Sequence, residues 1–437
     1  MAKEPQKIGI ITTTSLVIGN MIGAGIFLVP SSLASYGSIS LLGWIFTAIG
    51  ALILAKIFSN MSKMFVNKSG GPYAYSKAGF GDFIGFLIAW GYWISIWVSN
   101  AAIVVAIIGA LSHFFPALST NPVAGVSFGL ALIWVLTWIN SRGVKSSGIV
   151  QVVTTVLKLL PLLFVIFVGI FFFDFDNFPA FNLTGNSSWV AISSAAAITL
   201  YAFLGIESAS VPAENVENPE VTIPRATMAG TIIVSLVYIL GTVVLFGILP
   251  IETLQNSARP FAEAGEIIGG EFAGNFVAAG AAISGIGCLN GWILISGQLP
   301  MATAKDNMFP RLFKKENKNG APFLGLLIGS ALTSVLLLMN FSVGLVAQFT
   351  FLLNITVFTA LIPYLFVAAA YVIVLIEKKI HLNSALKTFL LGTLGFAYSL
   401  WAIFGSGRDT VFYGFLLLLL GIPFYVIMQW NKTKDNE

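Results

Sequence analysis

Charge is what this sequence has least of. Only 9% of its 437 residues are Asp, Glu, Lys or Arg, while 57% are hydrophobic, against roughly 25% charged in an ordinary soluble domain. No soluble core could hide that much apolar side chain, so lipid must solvate most of the surface. Cysteine is nearly absent as well: the single Cys288 excludes an internal disulfide and any cysteine-built metal cluster. The two histidines, His113 and His381, stand far apart at segment ends, so neither a metal site nor another cofactor is expected. The formal charge of +4 includes no basic tract of the kind that binds nucleic acid. No small-residue cleavage site follows the N-terminal run, and a removed leader is not expected.

What the sequence does have is long apolar runs. A helix needs about 20 mostly apolar residues to cross the hydrocarbon. On that rule there are twelve spans, near 10–34, 41–65, 82–112, 123–141, 149–173, 190–213, 225–249, 273–303, 322–341, 344–376, 386–405 and 410–430. The acidic connection 250–272 is read as a surface segment with a short helix. Eighteen of the 22 Lys and Arg residues fall at one set of span ends, and only Arg259 and Arg408 at the other. By the positive-inside rule both termini face the cytoplasm. Lys56 and Lys158 fall within spans. Lys56 lies near the cytoplasmic end of the second and can snorkel; Lys158, with Pro161 and more apolar residues between it and the outer interface, cannot.

Two spans are interrupted. The first reads Gly19-Asn20-Met21-Ile22-Gly23-Ala24-Gly25-Ile26-Phe27, and each glycine weakens a helix by about 1 kcal/mol. Alone, that run would be explained by close packing of small residues. The sixth span has a matching interruption, Leu204-Gly205-Ile206-Glu207-Ser208, and a carboxylate inside the bilayer is costly unless it is protonated, paired or facing water. Paired breaks of this kind mark inverted-repeat transporters. There, half-helix ends meet an anionic substrate group and freed carbonyls meet a cation. Aromatic residues at the right depth, Tyr92, Trp93, Tyr201, Trp292 and Tyr364, are candidate walls. Trp292, beside Asn290 and Gly291, is the one best placed to cover a ligand cation.

At these residues the chain resembles the amino acid–polyamine–organocation transporters, and most closely the arginine/agmatine and putrescine/ornithine antiporters. The resemblance extends through the loop Gly70-Gly71-Pro72-Tyr73, Glu217-Asn218-Pro219, Gly291-Trp292 and Pro363-Tyr364. It implies an all-α membrane protein of twelve transmembrane helices in a 5+5 inverted repeat of the LeuT type, with helices 1 and 6 discontinuous. The repeats would be 10–173 and 190–376, followed by two extra helices at 386–430, with homodimers common in the family. It also implies roles. The first-span run Asn20, Met21, Ile22, Gly23, Ala24 and Gly25 would hold the amino and carboxyl groups of a small-molecule substrate. Tyr92, Ser95, Ile96, Asn100, Tyr201, Leu204, Gly205, Ile206, Trp292 and Thr356 would complete the pocket, with Asn100 at the distal end and Tyr201 closing the outer gate. Tyr73 matches a tyrosine linked to pH response, while Glu207 and Tyr364 match gate residues.

Three departures shift the expectation. Ala24 stands where the family usually has Ser, and Tyr201 where the arginine antiporter has Trp, a stronger cation–π surface. Lys158 is absent from the polyamine antiporters; it resembles instead the lysine of proton-coupled permeases in the same superfamily. In sodium-coupled relatives of the fold an ion bridges the first and eighth helices there. The resemblance implies that Lys158 replaces that ion, either as a fixed tether or as a titrating proton carrier, with Ser284 in the eighth span offering a hydroxyl. The expected function is therefore a sodium-independent exchanger of an amino acid for a related amino acid or amine in the bacterial inner membrane. The alternative is a proton-coupled permease for neutral amino acids. An enzyme is not expected, since Lys158, Glu207 and the near-interface Lys56 are the only charged residues placed inside the bilayer, away from the span ends. Nor is a channel, which would need a repeated ring of filter residues.

Overall fold

A single segment in lipid can satisfy all its backbone N–H and C=O groups only as a helix. The computed structural model describes residues 7–339, 345–377 and 382–434, with the backbone alone at 24–25, 345–356, 382–385 and 431–434. Among the described residues it is all-helical, apart from one isolated β-bridge between Ile8 and Val216. Helices overlie all twelve predicted runs. Nine among the described residues are long and apolar enough to cross a membrane singly, and the bent pair Ile10–Met21 and Ile26–Ala34 makes a tenth. Ser188–Phe203 and Phe323–Met339 are shorter apolar helices. Among the described residues, length and composition thus allow up to ten crossings and do not by themselves show the full twelve.

Several boundaries differ from the sequence reading, each for a local reason. The third span begins at Pro72, not near 82, and runs to Leu111 through a break at Gly81, whose φ of +79° only glycine adopts readily. Pro72 suits a first helical turn, where no N–H is needed. The eighth span reaches back to Pro260 and continues to Lys305 through a break at Gly269–Gly270. It absorbs part of the acidic connection, the rest of which forms the short helix Ile251–Asn256. The sixth departs furthest. Only Ser188–Leu200 is α-helical; the 3-10 turn Tyr201–Phe203 follows, and then irregular turns as far as Ala213–Asn215.

Packing sets the two breaks against each other. The first span lies on the seventh (Pro219–Ile248), the fifth (Val144–Gly169) and the eighth, while the third packs on the eighth and tenth (Leu345–Glu377). A Cβ on Gly205 would lie 3.2 Å from the Cβ of Asn20 and 3.4 Å from the Trp292 ring. The interruptions of the first and sixth spans therefore meet, with the eighth span beside them. Large apolar side chains such as Phe171, Phe175, Trp189 and Phe272 cover the outer surface. That pattern suits a surface solvated by lipid.

Candidate functional site

The first helix stops at Met21 because Ile22 (φ −85°, ψ 91°) and Gly23 (φ −98°, ψ −173°) are extended. A 3-10 turn, Ala24–Leu28, resumes beyond them. Carbonyls that lose their helical partners must find others when water is excluded. Tyr238 Oη lies 2.9 Å from the Met21 carbonyl and 3.2 Å from that of Ala202, so one hydroxyl ties the two breaks together. Trp292 Nε1 donates to the Asn20 carbonyl at 3.3 Å, as does Cys288 Sγ at 3.4 Å. Asn20 Nδ2 donates to Ser208 Oγ at 2.9 Å.

Lys158 supplies the rest. It is fully buried, and its ammonium donates to the carbonyls of Gly19 at 3.0 Å, Ile22 at 2.6 Å and Ser284 at 3.1 Å. Three donors meet three acceptors, which is all an ammonium can offer. No carboxylate pairs with it among the described residues. Carbonyl dipoles therefore carry the burden of solvating the charge. Ser284 does help, but through its carbonyl; its hydroxyl goes instead to the Ile22 carbonyl at 2.9 Å.

The second break is organised around Glu207, which is also buried. Tyr92 Oη donates to Oε1, and Tyr364 Oη donates to Oε2 at 2.5 Å. The N–H of Gly205 in turn donates to Tyr364 Oη at 3.1 Å. That hydroxyl accepts from the backbone, so its own proton is committed to the carboxylate. Gly205 has a φ of +110°, and a Cβ there would also lie 3.3 Å from the Asn20 carbonyl carbon. Gly205→Ala is expected to cost about 1–3 kcal/mol in backbone strain, read as a melting temperature lower by several degrees in detergent. An unchanged melting temperature would contradict this geometry.

Between the breaks lies a cavity of about 120 Å³. Of the residues expected from sequence, Asn20, Met21, Gly23, Tyr92, Ser95, Ile96, Tyr201, Leu204, Glu207, Trp292 and Tyr364 line it. The third span contributes one helical face, Tyr92, Ser95, Ile96, Ser99, Ile103 and Ala106. Asn100 is a residue further round: it is buried and does not line the cavity, and its Oδ1 has no partner among the described residues. Ile22, Gly205 and Ile206 lie behind the wall, the first two acting through backbone groups. Of Ala24, Gly25 and Thr356 only the backbone is described. Eight lining residues escaped the sequence reading, of which Ser99 and Cys288 are the two that carry a polar atom in the side chain. Ser99 continues the periodicity of Tyr92, Ser95 and Ile96, and Cys288 lies one turn before Trp292 on the eighth span.

The lining runs from Glu207 and Tyr364 toward Val29 and Ala106. Glu207 is its only carboxylate among the described residues, and no Lys or Arg faces it. Four aromatic rings form the walls, with Tyr92 edge-on to Trp292 at 6.5 Å between centroids. Such a chamber admits a small neutral or cationic solute and disfavours an anionic side chain.

Tyr73 lies elsewhere, at the opposite end. Its hydroxyl donates to Asp306 Oδ2 at 2.9 Å, and Lys77 Nζ meets Asp306 at 3.0 Å and Asp82 at 3.5 Å. Nearby, Lys305 pairs with Glu214 at 2.6 Å, and the Gly70 N–H donates to the Val211 carbonyl at 2.9 Å. Ile8 exchanges backbone hydrogen bonds with Asn215 and Glu217. These contacts strap the N-terminal segment, the loop before the third span and the end of the eighth onto the irregular part of the sixth.

With this arrangement in view, residues 8–433 match the amino acid permease family. The chain belongs to that family. It is a multi-pass transport protein, not an enzyme. The permease is 32% identical over 432 residues to the putrescine transporter PotE of Haemophilus influenzae, covering 99% of both chains. It is 31% identical to the arginine/ornithine antiporter of Pseudomonas aeruginosa, covering 100% of the permease and 93% of that protein. It is 32% identical to the arginine/agmatine antiporter of Chlamydia pneumoniae, over 99% and 92% respectively.

Proposed function

We propose that this permease exchanges an amino acid for a related amino acid or amine across the bacterial cytoplasmic membrane, by alternating access and without sodium. The relatives named antiporters support exchange, and they do not favour the alternative of proton-coupled uptake of neutral amino acids. The observation that carries the sodium-independent part is the Lys158 ammonium on the carbonyls of Gly19, Ile22 and Ser284. In broken-helix transporters freed carbonyls of this kind coordinate the coupling ion. Here a fixed cation occupies them.

The rest of the arrangement follows the same reading. Residues 10–173 and 190–376 form inverted repeats, each opening with a broken helix, and 386–430 add two helices outside them. Ser188–Phe203 and Phe323–Met339 cross the membrane with their neighbours' help, giving twelve crossings with both termini in the cytoplasm. The substrate amine sits among Tyr201, Trp292 and Glu207, and two copies pair in the membrane.

Thermal stabilisation tests the substrate class. A ligand binding only the native state adds RT ln(1 + [L]/Kd), about 2.7 kcal/mol at one hundred times Kd. Arginine, ornithine, agmatine or putrescine is expected to raise the melting temperature of the purified permease in sodium-free buffer. Stabilisation by neutral amino acids alone would overturn the reading.

A further inference from the structure

Gln151 has no place in the site just described, yet the molecule is cut to fit it. Its side chain is 1% exposed and lies between the first and eighth spans. A Cβ on Gly19 would come 1.8 Å from Gln151 Nε2, and one on Gly291 would come 3.2 Å from Gln151 Oε1. Both glycines belong to the runs that sequence alone reads as a helix break and as the neighbour of Trp292. Gly19 leaves a slot for the Gln151 amide, while Gly291 makes room first for Asn20, whose Oδ1 would lie 1.8 Å from a Cβ there, and then for Gln151.

Hydrogen bonds fix the amide in place. Nε2 donates to the Ser15 carbonyl at 3.3 Å, and Oε1 accepts from Asn290 Nδ2 at 3.0 Å. Asn290 Oδ1 in turn accepts from Asn140 Nδ2 at 3.1 Å, anchoring the chain in the fourth span, Pro122–Ser141. Thr155, one turn along from Gln151, also donates to the Ser15 carbonyl, at 3.2 Å. Positions 151, 155 and 158 share one face of the fifth span. Together they offer donors to the first span from Ser15 up to Ile22.

We infer that Gln151 is a positioning residue for transport. It latches the half of the first span before its break against the eighth span, which keeps the Tyr73 end shut while the cavity faces Val29 and Ala106. The inference rests on the alternating-access reading, because rocking the first span away from the eighth pulls Ser15 from Gln151 while Asn290 holds the amide back. Losing the latch then favours opening at the Tyr73 end.

Cys288 reports the balance without any substrate. It is the chain's only cysteine, and it lines the cavity. A membrane-impermeant thiol reagent is applied to right-side-out and inside-out vesicles containing the full-length protein. For Gln151→Leu the labelling rate from the Val29 side is expected to fall relative to that from the Tyr73 side, shifting the ratio roughly two- to tenfold, the size of one or two neutral hydrogen bonds. Thr155→Val, nearly unchanged in volume, is expected to shift it the same way by less, and it decides the matter alone if Gln151→Leu does not fold. An unchanged ratio, or a shift of opposite sign, overturns the inference and leaves Gln151 as packing. Labelling needs no transport, so a failure of the unaltered protein to exchange any substrate would count against the exchange reading separately.

Discussion

Lys158→Met is expected to lower exchange roughly hundredfold or more while leaving a folded, monodisperse protein. Methionine keeps the length of the stem, so the change removes the ammonium rather than the packing. The carbonyls of Gly19, Ile22 and Ser284 then lose their shared donor. Hydrogen bonds from a charged group are worth about 1.5–3 kcal/mol each, and about 2.8 kcal/mol applied to the transport-competent arrangement is a hundredfold in rate. Lys158→Arg is not expected to rescue, because a planar fork cannot converge on three carbonyls as a compact ammonium does. Exchange is measured with labelled substrate in proteoliposomes, normalised to folded protein. Near-normal exchange by Lys158→Met would mean that the break holds itself.

The second large effect separates the charge of Glu207 from its hydrogen bonds. Glu207→Gln keeps an acceptor for Tyr364 and can turn its amide N–H toward Tyr92, so exchange is expected to stay within about tenfold. The variant removes the only carboxylate among the described cavity-lining residues, and the pH dependence of exchange is expected to flatten. Tyr364→Phe does the reverse. It keeps the charge but takes a donor from Glu207 and strands the buried N–H of Gly205, at about 1–3 kcal/mol for each unsatisfied group. Exchange is expected to fall about ten- to hundredfold, with the pH profile retained in shape. If Glu207→Gln keeps the full pH profile, the titrating group lies elsewhere.

The sequence announced these two residues because ionisable groups in apolar runs are costly and stand out. A glycine cluster flagged the first break, and Gly205 with the Glu207 carboxylate the second, because each violates the helix rule of its surroundings. What could not be read was direction. Hydropathy places Asn100 in the third span but does not fix its rotation, and the helix turns Ser99 toward the cavity in its place. Backbone acceptors are equally silent. The sequence offered the Ser284 hydroxyl to Lys158, whereas its carbonyl does that work, because any residue type can present a carbonyl once a helix is broken. Gln151 escaped for a related reason: a neutral amide amid apolar residues carries little signal until the slot at Gly19 is seen opposite it. The lead-in turns at Pro72 and Pro260 were missed because a hydropathy window discards amphipathic residues that packing later recruits.

Counterflow in proteoliposomes bears most directly on the exchange reading. Vesicles loaded with unlabelled arginine, ornithine or putrescine, or left empty, are placed in sodium-free buffer containing the labelled compound. Loaded vesicles are expected to take up label and empty ones not to, with added sodium changing neither. Uptake that required sodium, or that ran equally well into empty vesicles, would contradict a sodium-independent exchanger whose cation site is filled by Lys158.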